Sequence, residues 1–156
     1  MEGINGEILG KYVIITNSTV GHGTKIWHFV NIYNSTIGEN CKIASHVEIG
    51  GANIGNNCKI EKSVFIPPGV TIGNNVFIGP HTCFTNDKYP YATGGQWQIN
   101  PTQIKDGASI GANSTILSGI VVGEKAMVGA GSIVTKDVAD GMIVYGDGAK
   151  ERGTIH

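Results

Sequence analysis

Aliphatic side chains recur at every sixth residue along most of this chain, and that spacing leaves few folds open. The ladder runs Ile8, Ile14, Val20, Ile26, Ile32, then Ile37, Ile43, Ile49, then Ile54, Ile60, Ile66, Ile72, Ile78, Phe84, and later Ile104, Ile110, Ile116, Val122, Val128, Val134. A period of six fits neither the alternation of an isolated strand nor the 3.6-residue turn of a helix, and repetition on this scale is the mark of a solenoid. Three six-residue segments close one triangular coil of about 18 residues, with each ladder residue pointing inward and stacking about 4.8 Å from its counterparts above and below. About twenty rungs then make nearly seven coils. Glycine follows the ladder residue at 21, 38, 50, 55, 73, 79, 111, 123 and 129, with asparagine close by. These residues suit corners where a Cβ is unwelcome or φ must turn positive.

Composition agrees. The 156 residues include 24 glycines and only two leucines, Leu9 and Leu117, a balance that disfavours helices. The length suits a single domain, residues 1–156. Coils are expected over about 8–84 and 104–135, with an extruded loop over about 85–103 and a tail over 136–156. The loop, TNDKYPYATGGQWQINPTQ, loses the ladder's phase and is aromatic and polar, which marks it as functional more than connective. The tail, TKDVADGMIVYGDGAKERGTIH, leaves the rungs and is expected to cap the unpaired edge of the last coil.

A net charge of −1, with 15 % charged residues, offers no broad basic field for nucleic acid or an acidic membrane. No apolar run is long enough to span a bilayer, and MEGINGEILGKY lacks the pattern of a signal peptide. A cytoplasmic location is therefore expected. Cys41, Cys58 and Cys83 lack zinc or redox spacing and read as reduced, buried fillers.

The segments GHGTKIWHF (21–29), IGPHTCFTNDKYP (78–90) and IKDGASIGANSTILSGIVVGEKAMVGAGSIVTKDV (104–138) resemble the hexapeptide-repeat acyltransferases, in particular those that N-acetylate nucleotide-linked 3-amino sugars. The resemblance implies an all-β, left-handed parallel β-helix, a hand opposite to that of ordinary crossovers. It also implies acetyl-CoA as co-substrate, a UDP- or dTDP-linked amino sugar destined for cell-surface polysaccharide as acceptor, and a homotrimer with its active sites in the grooves between subunits. Trp27 and Phe29 then read either as subunit contacts or as isolated surface apolars.

On that reading Asn86, in FTN, lies beside the acceptor amine; as a neutral amide it orients that amine but cannot take its proton. His81 has a side chain suited to receiving the proton, or simply to a surface hydrogen bond. Asp87 reads equally as a ligand of sugar hydroxyls and as a turn cap. His46, Glu61 and Lys62 fall on the earlier coils where the acceptor groove should pass, Lys62 facing either an anion or water. Tyr89 and Trp97 could stack on the nucleobase or pack the loop. The cofactor should follow the later coils, with Ala112, Ala130 and Gly131 giving the pantetheine arm room and Lys136 and Lys150 meeting CoA phosphates. YGDGAK stands where relatives carry a G-N-P-A-like segment, which puts the adenine end in doubt.

Three rivals remain. An O-acetyltransferase, or a transferase of longer acyl groups, would need His81 as its base. A γ-type carbonic anhydrase is suggested by His46 and His81 but lacks a third nitrogen donor, since Asn86 is a poor zinc ligand, and no metal is expected. A non-enzymatic ice-binding or scaffold helix would want a flat, regular face without an aromatic loop.

Overall fold

The computed structural model describes residues 3–148 and 150–154, the last strand's Lys150, Glu151 and Arg152 by backbone only. Short parallel strands wind into a three-sided solenoid. The first face stacks Glu7–Ile8, Lys25–Ile26, Lys42–Ile43, Lys59–Ile60, Phe77–Ile78, Ser109–Ile110, Met127–Val128 and Met142–Tyr145. The second stacks Ile14–Thr16, Asn31–Tyr33, Glu48–Gly50, Phe65–Ile66, Cys83–Phe84, Thr115–Ile116 and Ile133–Val134. The third stacks Thr19–Val20, Thr36–Ile37, Asn53–Ile54, Val70–Ile72, Thr102–Ile104 and Val121–Val122. Each strand is too short to be stable alone. Its backbone groups are satisfied only by the coils above and below, so the prism forms as a unit.

The ladder is the core. Ile26, Ile43, Ile60, Ile78, Ile110 and Val128 pair in register on the first face, all 0–1 % exposed. Four residues after each comes a second buried position, at Val30, Val47, Val64, Thr82, Ser114 and Ser132, which fills a corner of the triangle. Where that filler carries a hydroxyl, the hydroxyl bonds a corner carbonyl, as Thr82 Oγ1 does to Gly79 O at 2.8 Å and Ser132 Oγ to Gly129 O at 2.6 Å. No buried side-chain polar atom among the described residues lacks a partner.

Four expectations change. Ile14 is 62 % exposed, and Ile15 is the residue in register with Ile32. Six is therefore an average here, and a shift of one residue along a strand exchanges inside for outside. The ladder also outlasts Val134: Val138 bridges Val122 and Val144 pairs with Val128, both buried, giving the first face eight parallel strands. Lys150–Thr154 then turns back antiparallel along Met142–Tyr145. The glycines that follow ladder residues are needed for space and not for φ. A Cβ on Gly55 would lie 2.7 Å from the carbonyl carbon of Gly73, whereas the left-handed corner residues are Asn40, Asn57 and Asn75, with φ of 55–57°. Finally, Cys41 and Cys58 are buried fillers but Cys83 is exposed, facing outward on the second face.

The loop leaves after Cys83–Phe84 and returns at Thr102, which pairs with Val70 as though the coil had never opened. From Ile72 to Ile104 takes 32 residues where Ile104 to Val122 takes 18.

Candidate active site

The corner between the first and second faces gathers most of the singled-out residues. Phe29 N bonds Lys11 O, His46 N bonds His28 O, Ser63 N bonds Ser45 O, His81 N bonds Lys62 O, Asn113 N bonds Pro80 O and Gly131 N bonds Ala112 O. These bonds, 2.7–3.1 Å long, stack one corner through successive coils. Tyr12, Phe29, His46, Ser63, His81, Asn113 and Gly131 all adopt positive φ there. The backbone requirement is the same at each rung, yet the side chains grade from aromatic at the early coils to small at the late ones.

On the early coils this corner edges a groove of about 520 Å³. The expected residues His46, Glu61 and Lys62 do meet in it, beside Trp27, Phe29 and Lys42. Lys59 joins them, its ammonium 2.9 Å from Glu61 Oε1 and 5.7 Å from the Phe77 ring centroid. Lys42 and Lys59 were missed in the sequence although a signal was present: Lys25-Ile26, Lys42-Ile43 and Lys59-Ile60 repeat at a 17-residue interval, so the lysines share one face.

His81 is exposed at the next rung but one after His46. Ala112, Ala130 and Gly131 continue the same corner above it, and at Gly131 an added Cβ would meet nothing within 4 Å. Lys136 follows Ile133–Val134 and falls at the opposite corner, so it does not join the other three. The side chain of Lys150 lies outside the described residues.

Asn86 occupies that opposite corner, between the second and third faces. Its Nδ2 donates to Pro68 O at 3.5 Å, and its own carbonyl accepts from Trp97 Nε1 at 3.3 Å. The loop is thus tied to the residue at its root. Asp87 Oδ1 accepts the Tyr89 amide at 2.9 Å, so its turn-capping role is formed, and Tyr89 and Tyr91 remain 68 % and 73 % exposed. Ile99 lies across Gly69, whose φ of 95° and missing Cβ let the loop settle on the corner. Five positions apart along nearly extended chain, His81 and Asn86 have their backbones separated by roughly 15 Å within one chain. They cannot serve one reacting centre unaided. On the face between them Tyr33 Oη donates to Glu48 Oε1 at 3.4 Å, and burial, reinforced by that carboxylate, raises the phenol above its ordinary pKa.

The family model described as bacterial transferase hexapeptide (six repeats) matches residues 17–51 and 51–86, and that of the hexapeptide repeat of succinyl-transferase matches 101–136. Together they span well over half the chain, which belongs to the hexapeptide-repeat transferases. The dTDP-3-amino-3,6-dideoxy-α-D-galactopyranose 3-N-acetyltransferase of Aneurinibacillus thermoaerophilus is 54 % identical over 54 residues, 35 % of this chain and 28 % of that protein. The chain spans less than half the length of such curated relatives. In fold it superposes on the N-acyltransferase AntD of Bacillus cereus, solved with dTDP-4-amino-4,6-dideoxyglucose and coenzyme A. There the TM-score is 0.67 at 22 % identity, over 99 % of this chain and 82 % of that one. PerB of Caulobacter crescentus, solved with CoA and GDP-perosamine, gives a TM-score of 0.66 at 18 % identity, over 90 % and 58 %. The shared fold is the left-handed parallel β-helix.

Proposed function

We propose that this protein transfers an acetyl group from acetyl-CoA to the amino group of a nucleotide-linked 3-amino sugar, UDP- or dTDP-bound, in the cytoplasm and as a homotrimer, for cell-surface polysaccharide. The observation that carries the reading is the 54 % identity to a dTDP-3-amino-sugar N-acetyltransferase, in a chain whose FTN asparagine sits at the root of an aromatic loop. The homotrimer is supported by the placing of Asn86 and His81 at opposite corners of one face: in an assembly the loop of one subunit would lie against the histidine corner of the next.

In the reaction the neutral amine attacks the thioester carbonyl, a C–N bond forms, the C–S bond breaks and CoA leaves as thiolate. The amine's proton passes to His81 or to the departing thiolate. The Asn86 amide, held through its backbone by Trp97, orients the amine, and positioning of this kind is the main demand of such a transfer. His46, Glu61 and Lys62 hold the acceptor, Asp87, Tyr89 and Trp97 close over it, and the small corner at Ala112, Ala130 and Gly131 admits the pantetheine arm. Lys136, at the far corner, reaches CoA phosphates only from a neighbouring subunit.

One alternative has an observation in its favour: exposed His81 is available as the base that O-acetylation requires. Incubation with acetyl-CoA and a panel of UDP- and dTDP-linked amino and hydroxy sugars, followed by thiol release, separates the two. Release with amine acceptors is expected. Release with hydroxyl acceptors alone rejects the N-acetyltransferase reading.

A further inference from the structure

Two features of the early coils cost stability within the chain alone. The first is a column of cations. Lys25, Lys42 and Lys59 occupy in-register, outward positions on three consecutive strands, so their stems leave the backbone about 4.8 Å apart. Only Lys59 of the three has a carboxylate within 4 Å among the described residues, and like charges directly opposite one another on neighbouring strands repel. The column is local: Glu7 stands in register with Lys25 below it, and Phe77, Ser109 and Met127 continue it on the later coils.

The second is a stack of rings at the adjoining corner. Tyr12 and Phe29 lie 5.2 Å apart at 11°, and Phe29 and His46 lie 4.8 Å apart at 15°. All three hold φ of 58–61°, a region that bulky residues avoid and that the neighbouring corner assigns to asparagine or glycine. Above His46 the column carries the small Ser63, and His46, stacked on Phe29, is exposed. Phe29, His46, Lys42, Lys59 and Lys62 border the same groove of about 520 Å³.

Cations beside an open stacking face suit a ligand with a flat heterocycle and a diphosphate. We propose that this groove seats the nucleoside diphosphate of the acceptor, its base stacked on His46 over Ser63 and its phosphates on Lys42 and Lys59, with Lys62 at the groove's edge. This deepens the reading of the groove given above and rests on it. CoA also carries a nucleoside diphosphate. The acceptor is the occupant because this in-register lysine column and this ring stack lie on the early coils, whereas the open, small-residue corner lies on the late ones.

Calorimetric titration of the whole protein at low salt with UDP, dTDP, GDP, CoA and inorganic pyrophosphate tests this. At least one free nucleoside diphosphate is expected to bind. Lys42→Gln with Lys59→Gln should weaken it by roughly tenfold or more while leaving CoA unchanged, and Lys42→Arg with Lys59→Arg should restore most of the loss. His46→Ala should weaken the nucleoside diphosphate and leave pyrophosphate unaffected, a separation that a merely structural role would not produce. The glutamine variant is expected to melt no lower than the parent, because repulsion has been removed. Loss of CoA binding in that variant, equal nucleotide affinity before and after it, or no nucleotide binding to the parent each overturns the proposal. The transferase reading fails separately: a protein that binds UDP through these lysines but releases no thiol with any acceptor rejects that reading alone.

Discussion

Gly55 and Gly141 sit at the same corner of the prism for different reasons, and exchanging them tests how the corner is built. Gly55 has an ordinary φ, so alanine meets no conformational penalty there and gains about 0.4–1 kcal/mol by restricting the unfolded chain. Its Cβ, however, would lie 2.7 Å from both the carbonyl carbon and oxygen of Gly73, well inside the roughly 3.5 Å of an ordinary carbon contact. Neither coil can yield freely, because Ile54 is in register with Ile72 and Gly55 N bonds Ile72 O at 2.8 Å. Overpacking costs about 1–3 kcal/mol and the weakened hydrogen bond about 1 kcal/mol more, so Gly55→Ala should lose about 2–3 kcal/mol. Gly141 has φ of 69° and open space around its missing Cβ. Alanine there costs only the left-handed backbone, about 1–2 kcal/mol, and asparagine, which Asn57 and Asn75 show to be at home in this column, should recover most of it. Urea unfolding followed by far-UV circular dichroism, at one protein concentration so that assembly does not shift the midpoints, reads all four variants. Recovery by Gly55→Asn, or a neutral Gly55→Ala, would refute the argument that stacked glycines serve coil-to-coil approach.

Asn86→Ala should lower turnover at least about tenfold with the fold intact, through lost positioning of the amine; an unchanged rate in steady-state kinetics removes Asn86 from the reaction. Ile60→Ala, fully buried between Ile43 and Ile78, should cost about 2–5 kcal/mol in urea unfolding, while Ile14→Ala should cost under about 0.5 kcal/mol; the reverse order would restore Ile14 to the core. Excising residues 87–100 returns the coil to its 18-residue repeat. The product is expected to keep the β-rich dichroism spectrum and lose transfer, and loss of the spectrum would make the loop part of the scaffold.

Much of this protein was legible in its sequence. The six-residue ladder pointed to a three-sided solenoid because three such segments close a coil with every ladder residue inward, and the phase break between Phe84 and Ile104 exposed the loop. The ladder's limits were not readable. Ile14 and Ile15 are adjacent isoleucines, and only pairing with Ile32 decides which points inward. Val138 and Val144 stand off the period, and pairing alone makes them rungs. Positive φ at Tyr12 and Phe29 was likewise hidden, because bulky aromatic residues, unlike glycine and asparagine, avoid it.

For the site, sequence supplied residue types and tertiary structure supplied neighbourhood. His46, Glu61 and Lys62 meet because 17- and 18-residue coils bring them to one corner, and the same winding adds Lys42, Lys59 and Phe29. His81 and Asn86, five residues apart in the chain, are driven apart by the width of a face that the intervening residues span. Local sequence sets most of the inward side chains, since these follow the repeat, and pairing decides the exceptions at Ile15, Val138 and Val144. Which outward side chains share a groove depends on coil length and register, and those exist only once the prism has closed.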